Sequence, residues 1–466
     1  MQIRLTAHSR GATARPDPSR QRALYISVFL AAWMLVIGGR LIYLQAFQHD
    51  WLSERARLQQ QVEAQTSPER GLIVDREGRE LARSAAADSI FVDPRELKDL
   101  NNAVSQLAPI LKIQASEIAS VLSSAEHRNR RFVWLARKVT PAQASRIAEL
   151  EIPGVHSVKE QKRVYPHGAL AAHVLGFVGT DEVGLGGVEH IYNSSLIGEG
   201  GKITVETDGR GAAYQSIEMQ SRAGRTVQLT IDQAIQYHAE QVMADVLART
   251  KARAATAVVL DPRSGEILAL VNAPAFDPNN AGKVTPQMRT NEALQNIYEP
   301  GSTFKIVVYS AVIEEGLAKA EDRIDCQMGS ITVAGRVVHD HHPYGSLTLT
   351  EALAKSSNVA AIKMGLRVGN ERMYDYIKRF GFGSRTGVEL PGETAGLLRP
   401  VGRWHPSSIG SIAIGQEIGV TPVQIASAFA TLANDGVRVS PHLIGSVKKA
   451  DGFVEFQAHP ERQRVD

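Results

Sequence analysis

Between Ala23 and Gly39 the chain runs ALYISVFLAAWMLVIGG without a charge, and past Arg40 it stays apolar through Leu41-Ile42-Tyr43-Leu44. One helix needs about 20 apolar residues to cross a bilayer, and this run is long enough. The preceding tail sets Arg4, Arg10, Arg15, Arg20 and Arg22 against a single acid, Asp17. A basic flank of that kind stays in the cytoplasm, so residues 1–22 are expected inside, 23–46 in the membrane and the remainder outside. A cleaved signal peptide is the alternative. It fits less well, because the run exceeds a usual h-region and Arg40, Tyr43, Gln45 and Phe47 offer no small-residue cleavage site.

Beyond the anchor the chain is of ordinary globular composition. It has 466 residues, 43% of them hydrophobic, with 52 Lys and Arg against 49 Asp and Glu. That length allows two or three domains, and the interspersed charge gives no reason to expect a nucleic-acid partner. The single cysteine, Cys326, cannot form an internal disulfide; it reads as a packed thiol.

Trp51 to Gln65 is polar and rich in helix formers, so the pattern predicts an exposed stalk helix ended by Pro68. From Ser67 to about Ser221, short strand patterns (Leu72–Val74, Ser89–Val92) alternate with helical ones (Leu97–Lys112, Ala115–Ser124, Pro141–Glu149), which predicts an irregular α+β domain that together with the stalk makes up residues 47–222. A second unit, 223–466, opens with a strand at Val227–Thr230, and Asp232 is the expected N-cap of a helix over Gln233–Thr250. Ala255–Leu260 and Glu266–Asn272 flank Asp261-Pro262-Arg263-Ser264-Gly265, a hairpin signal.

Chemistry is signalled at Glu299-Pro300-Gly301-Ser302-Thr303-Phe304-Lys305, which leads into the apolar run Ile306–Ile313. Pro and Gly break the chain, Ser302 can open a helix, and Lys305 lies three residues on, on the same face. A serine hydroxyl needs a base to become nucleophilic, and a partly buried lysine with a depressed pKa can serve. Alone, this spacing more often marks a cap and a solvated lysine. Some fifty residues later Ser356-Ser357-Asn358 interrupts an apolar helical stretch, either as a site or as a helix–loop boundary with local capping.

Ser302-x-x-Lys305 and Ser356-x-Asn358 stand in the order of the first two motifs of penicillin-binding proteins and serine β-lactamases. Arg70-Gly71-Leu72-Ile73-Val74-Asp75-Arg76-Glu77-Gly78, Arg163-Val164-Tyr165-Pro166, Gly176-Phe177-Val178-Gly179 and Gly184-Leu185-Gly186-Gly187-Val188-Glu189 are similar to pedestal segments of the class B penicillin-binding proteins. Phe276-Asp277-Pro278-Asn279, Gly415-Gln416 and Val420-Thr421-Pro422 resemble their catalytic-domain signatures, and the whole looks closer to septal, cell-division members than to elongation members.

The resemblance implies an α+β protein: a transmembrane helix, an α+β pedestal or dimerisation domain, and a penicillin-binding transpeptidase domain with helices around an antiparallel sheet. It implies Ser302 as the nucleophile toward the penultimate D-alanine of a stem peptide, Lys305 as its base, Ser356 as a proton relay, and Asn358 as the group that holds the substrate amide and orients Lys305. It implies no cofactor and no metal. The partners implied are stem peptides of peptidoglycan, β-lactams, and a polytopic SEDS-type glycosyltransferase with other division proteins, met through the anchor and pedestal. Ala31-Ala32 and Ile37-Gly38-Gly39 offer small residues for helix packing.

The family's third motif, Lys-Thr/Ser-Gly, follows the block near Pro441-His442-Leu443-Ile444 and is not found in this sequence. Arg385-Thr386-Gly387 is no substitute, since it lies in a segment resembling a different, structural one. On this reading the transpeptidase domain is incomplete at Asp466. The hairpin Ala257–Leu260/Ile267–Val271, whose apolar runs suit burial on both faces, is then expected to lack three sheet neighbours, leaving a marginally stable chain. Two other classes remain open: a β-lactam hydrolase or sensor, which would lack the pedestal and turn over penicillin quickly, and a non-catalytic division scaffold. His339-Asp340-His341-His342 reads as a solvated loop rather than a metal cluster, and Gly184–Gly187 as no dinucleotide loop.

Overall fold

The computed structural model describes residues 18–52, 61–66, 68–124, 132–207, 213–219 and 221–465, in two compact units. The first unit comprises residues up to Gln65 together with Lys202–Met219. It contains helix α1 (Pro18–Ile42), whose apolar side chains are exposed, extended by a π-helical turn at Tyr43–Phe47. Arg22–Phe47 has a mean hydropathy of 1.8 over its most apolar window, so one helix here is long and apolar enough to span a membrane.

The expected stalk helix is not what forms at its far end. Gln61–Thr66 is strand β1, in a three-stranded sheet beside β6 (Gly201–Thr207), which pairs in turn with β7 (Ala213–Met219). The segment alternates residue types, and pairing with strands some 140 residues away overrides its helical propensity, as nonlocal context does for strands generally. Residues 49–52 are helical, and 53–60 lie outside the described residues.

The second unit, Thr66–Gly201 with Gln220–Asp466, holds both remaining regions. Strand β3 (Glu80–Val92) pairs with β4 (Val133–Val139) and, over ten consecutive residues, with β5 (Val155–Val164). Helices α2 (Leu100–Leu111), α3 (Ala115–Ser123) and α4 (Pro141–Ala148) share a core with this sheet through Ile90, Val92, Leu107, Ile118, Leu122 and Ile147. β3 also pairs with β2 (Ile73–Val74), which lies parallel to β8 (Thr226–Leu229). β8 then accepts β11 (Ile444–Lys448) from the far end of the chain.

The sequence segments picked out in the pedestal meet at one buried carboxylate. Glu189, fully buried, takes Arg70 Nε at 2.6 Å on one oxygen and Arg163 Nε at 2.5 Å on the other. Arg70 also donates to Glu182 O and Asn193 Oδ1, and Arg163 Nη1 to Gly71 O at 2.7 Å. Gly71 must be glycine here, because a Cβ would sit 1.9 Å from Arg225 O.

Helix α5 (Gln233–Thr250) begins where expected, with Asp232 accepting from the amides of Ala234 and Ile235. Asp261 closes the turn before Ile267–Ala273 by accepting from the amides of Arg263 and Ser264. Strands β9 (Ala255–Leu260) and β10 (Ile267–Ala273) pair antiparallel with each other, and Glu266 bridges to His442. β10 is buried nearly throughout, but β9 is half-exposed at every position, unlike the expectation for its apolar run. Only β10 contributes fully buried side chains, Ile267 and Leu270, to the core it shares with Val227, Leu229 and Ile444.

Candidate active site

Gly301–Phe304 forms one 3-10 turn, and α6 (Lys305–Glu314) starts at the lysine rather than at Ser302. Phe304, Val307, Val308, Ala311 and Val312 are fully buried, so α6 is a core helix whose first turn carries the polar groups. Its entry is fixed from behind. Gly301 N donates to Gly415 O at 3.0 Å, and a Cβ on Gly415, whose φ is +73°, would stand 2.1 Å from Gly301 O. That close approach is why a Gly-Gln segment far along the chain accompanies the serine motif.

Ser356-Ser357-Asn358 does not lie inside a helix. It separates α7 (Leu349–Ala354) from α8 (Asn358–Val368), and the boundary is both a cap and a site. Thr348 and Glu351 form a capping box on α7, Ser356 adopts a left-handed φ of +56°, and Ser357 caps α8 through Ala360 N. A serine held in that region is strained and needs its surroundings to keep it there.

Asp340 supplies them, and it carried no signal in the sequence beyond a polar run. Its Oδ1 accepts from the amides of Asn358 (2.5 Å) and Val359 (2.9 Å), and its Oδ2 from Ser357 Oγ (2.7 Å). Residues 339–340 therefore brace the site; only His341 and His342 keep the solvated-loop character expected of the whole run. Among the described residues no group of His, Cys, Asp and Glu is placed to hold a metal ion.

Lys305 is fully buried. Its Nζ donates to Ser356 O (2.7 Å), Ser356 Oγ (3.0 Å) and Asn358 Oδ1 (2.8 Å), and Ser356 Oγ lies 2.9 Å from Ser302 Oγ. Asn358 Nδ2 donates to His339 O at 2.9 Å, which fixes the amide's orientation. The link between Lys305 and Ser302 thus runs through Ser356. Burial pulls the lysine down to about 8, against the opposing pull of the Asp340 carboxylate. With all three ammonium donors used, the protonated lysine is satisfied. When neutral, it keeps two donors for Ser356 O and Asn358 Oδ1, and its lone pair faces Ser356 Oγ.

Arg385-Thr386-Gly387 lies in a loop, where Thr386 N and Oγ1 donate to Glu393 Oε1 and Gly387 N to Glu393 Oε2. Its amides are committed to that carboxylate. Cys326 is a core residue, with Ser357 Oγ 3.6 Å from its sulfur.

Comparison with known proteins bears on the same residues. The model of the penicillin-binding protein transpeptidase domain matches residues 255–465, and that of the penicillin-binding protein dimerisation domain residues 65–229. The probable peptidoglycan D,D-transpeptidase PenA of Neisseria meningitidis is 34% identical over 91% of this chain and 73% of its own length. The peptidoglycan D,D-transpeptidase FtsI of Escherichia coli is 31% identical over 91% of this chain and 74% of its own. Among solved structures, penicillin-binding protein 3 of Mycobacterium tuberculosis complexed with aztreonam is similar with a TM-score of 0.64 and 31% identity, covering 86% of this chain and 72% of that one. With both domain models in order, relatives above 30% identity along most of their length, and the two polar motifs brought into contact, the chain belongs to the class B penicillin-binding proteins.

Proposed function

We propose that this chain is a peptidoglycan D,D-transpeptidase acting through an acyl-enzyme on Ser302. The observation that carries the reading is the buried Lys305, whose Nζ meets Ser356 Oγ while Ser356 Oγ meets Ser302 Oγ. With Lys305 neutral, Ser302 attacks the carbonyl of the penultimate D-alanine as its proton passes to Ser356 Oγ, and the Ser356 proton passes to Nζ. The same relay run backwards gives a proton to the departing D-alanine amine. An amine of a second stem peptide then attacks the ester, losing its proton along that path, and the cross-link forms as Ser302 is restored. Asn358 holds Nζ in line through its Oδ1 and acts as an orienting group. β-Lactams would acylate the same oxygen, as the aztreonam complex of a relative suggests.

The test is a fluorescent penicillin applied, in detergent, to a full-length version that carries the family's third motif. Wild type should be labelled at one site, Ser302→Ala and Lys305→Ala should not, and equal labelling of Ser302→Ala would refute the assignment. Slow loss of the label supports a transpeptidase, and rapid turnover a hydrolase.

Septal wall synthesis is the favoured setting, since relatives named FtsI and PenA recur among the matches. The arginine-rich tail favours a cytoplasmic N-terminus and an extracytoplasmic catalytic region anchored in the plasma membrane. Protease added to spheroplasts should then remove the chain beyond Gln48 and spare a tag before Arg4; loss of that tag would reverse the topology. A SEDS-type glycosyltransferase is the proposed partner of α1, where a Cβ added at Gly38 or Gly39 would meet no atom within 4 Å, which leaves room for close helix approach. Leucine at both positions should weaken co-purification of the two proteins, and unchanged co-purification would remove the helix from the contact.

A further inference from the structure

Ser302 and Ser356 are 54 residues apart in the chain and meet at 2.9 Å, so the turn that carries one must be held in register with the loop that carries the other. A hairpin lying between them in sequence is tied to both. Strands Ser330–Val333 and Arg336–His339 pair antiparallel around the two-residue turn Ala334-Gly335, whose φ angles are +47° and +82°. Positive φ at both central residues makes the tight turn whose twist matches its strands, so tip and base belong to one short unit. The base is part of the site: His339 O accepts from Asn358 Nδ2, and the next residue, Asp340, takes the amides of Asn358 and Val359.

The tip is held by a different segment. Arg336 Nη1 donates to Ser411 Oγ at 2.8 Å and Nη2 to Gln416 Oε1 at 3.1 Å, and Val333 lies over Gly410, where an added Cβ would stand 3.6 Å from its Cγ1. That segment also grips the nucleophile. Gly415 O accepts from Gly301 N at 3.0 Å and Glu417 N donates to Glu299 Oε1 at 2.9 Å, two bonds to the residues just before Ser302. Glu417 is itself kept in left-handed backbone, φ +61°, with its carboxylate on Arg399 at 2.7 Å and on Ser408 Oγ at 2.8 Å. Arg336 is exposed, and at about 3.3 Å per strand residue roughly 13 Å of chain separates it from Asp340, so it acts on the reacting hydroxyls only through the segments it ties together. A planar fork on two acceptors fixes direction as well as distance, which a flexible point charge does not.

We infer that Arg336 is a positioning residue: by pinning the hairpin tip to Ser411 and Gln416 it holds the Ser356 loop against the Ser302 turn at the separation that proton transfer needs. The inference rests on the transpeptidase reading for the use made of that separation, and its first test needs no reaction. In amide hydrogen exchange on the full chain in detergent, Arg336→Ala should speed exchange at Asn358 and Val359 on the loop and at Gly301 on the turn, each roughly tenfold, while the core helix α6 keeps its protection and so reports an intact fold. In the version that carries the family's third motif, the limiting rate of penicillin acylation should fall roughly tenfold in Arg336→Ala, with the half-saturating concentration and the pH midpoint near 8 unchanged. Arg336→Lys should recover only part of the rate. Gln416→Ala should slow acylation too, and the double variant should be no slower than Arg336→Ala alone, because both changes remove the same contact. Faster exchange confined to the hairpin, an unchanged acylation rate in Arg336→Ala, additive losses in the double variant, or a shifted pH midpoint would each overturn the inference. If the three amides respond together and wild type resists penicillin, the tie between loop and turn stands and the catalytic reading alone fails.

Discussion

Replacing Asp340 by Asn should separate the two things this carboxylate does. It holds three donors at 2.5–2.9 Å on the loop that carries Ser356 and Asn358. Hydrogen bonds to a charged acceptor contribute about 1.5–3 kcal/mol each and neutral ones about 0.5–1.5. An asparagine oxygen can still take the two amides, but its NH2 cannot accept from Ser357 Oγ. Taking three bonds to a charged acceptor down to two to a neutral one weakens the brace by about 4 kcal/mol. If that loss is felt in full in the transition state, the limiting acylation rate falls roughly 1000-fold. The second effect concerns charge. Lys305 titrates at about 8 because burial disfavours its charged form while Asp340 favours it. The neutral amine is the base, so acylation in wild type should rise with pH through about 8, with roughly a tenth of the lysine competent at pH 7. Removing the Asp340 charge further disfavours the ammonium, so the midpoint should move to lower pH even as the plateau drops. Stopped-flow acylation by a fluorescent penicillin from pH 6 to 10 reads both. A plateau within threefold of wild type would refute the bracing argument, and a midpoint that stays or rises would refute the electrostatic one.

Glu189→Ala should be among the most destabilising single changes in the pedestal, costing about 3–5 kcal/mol, because it leaves the buried guanidinium groups of Arg70 and Arg163 facing each other uncompensated. Urea denaturation checks it, and a loss below 1 kcal/mol would show that water or a rearranged side chain replaces the carboxylate. Thr421→Ala should cost about 1 kcal/mol by removing the capping box with Gln424 at the helix Pro422–Ala433, measured the same way, with no change in penicillin labelling.

The features that could be read in the sequence are those with local causes. The anchor run, the Asp232 cap, the Asp261 turn and the Ser302/Lys305 spacing each depend on residues within a few positions of one another. The Thr348/Glu351 capping box was equally visible and would have shown that the helix before Ser356 is short. What could not be read depends on distant partners. Gln61–Thr66 becomes a strand because Gly201–Thr207 offers it an edge. Asp340 becomes part of the site because a hairpin brings it under α8, and nothing near it in the chain announces that. The route from Lys305 to Ser302 by way of Ser356 follows from a left-handed backbone at Ser356, a conformation that residue type does not encode.

The sheet that joins β2, β8 and β11 has a consequence for how the protein is made. Ile73 and Val74 lie beside Val227 and Gln228, and those in turn beside Ser446 and Val447. A ribosome delivers these three strands in order, with long intervals between them, so β8 waits with an open backbone edge until β11, more than 200 residues later, has emerged. Pairings so far apart in sequence are slow to close. The boundary between the two domain models, 65–229 and 255–465, falls beside β8 and therefore cuts a hydrogen-bonded ladder rather than a linker. Each half expressed alone would carry an unpaired strand, and the catalytic half would present its seam to the pedestal to solvent. Escort of the nascent chain, or rapid completion of the ladder, becomes part of what keeps such an enzyme from aggregating before it reaches its substrate.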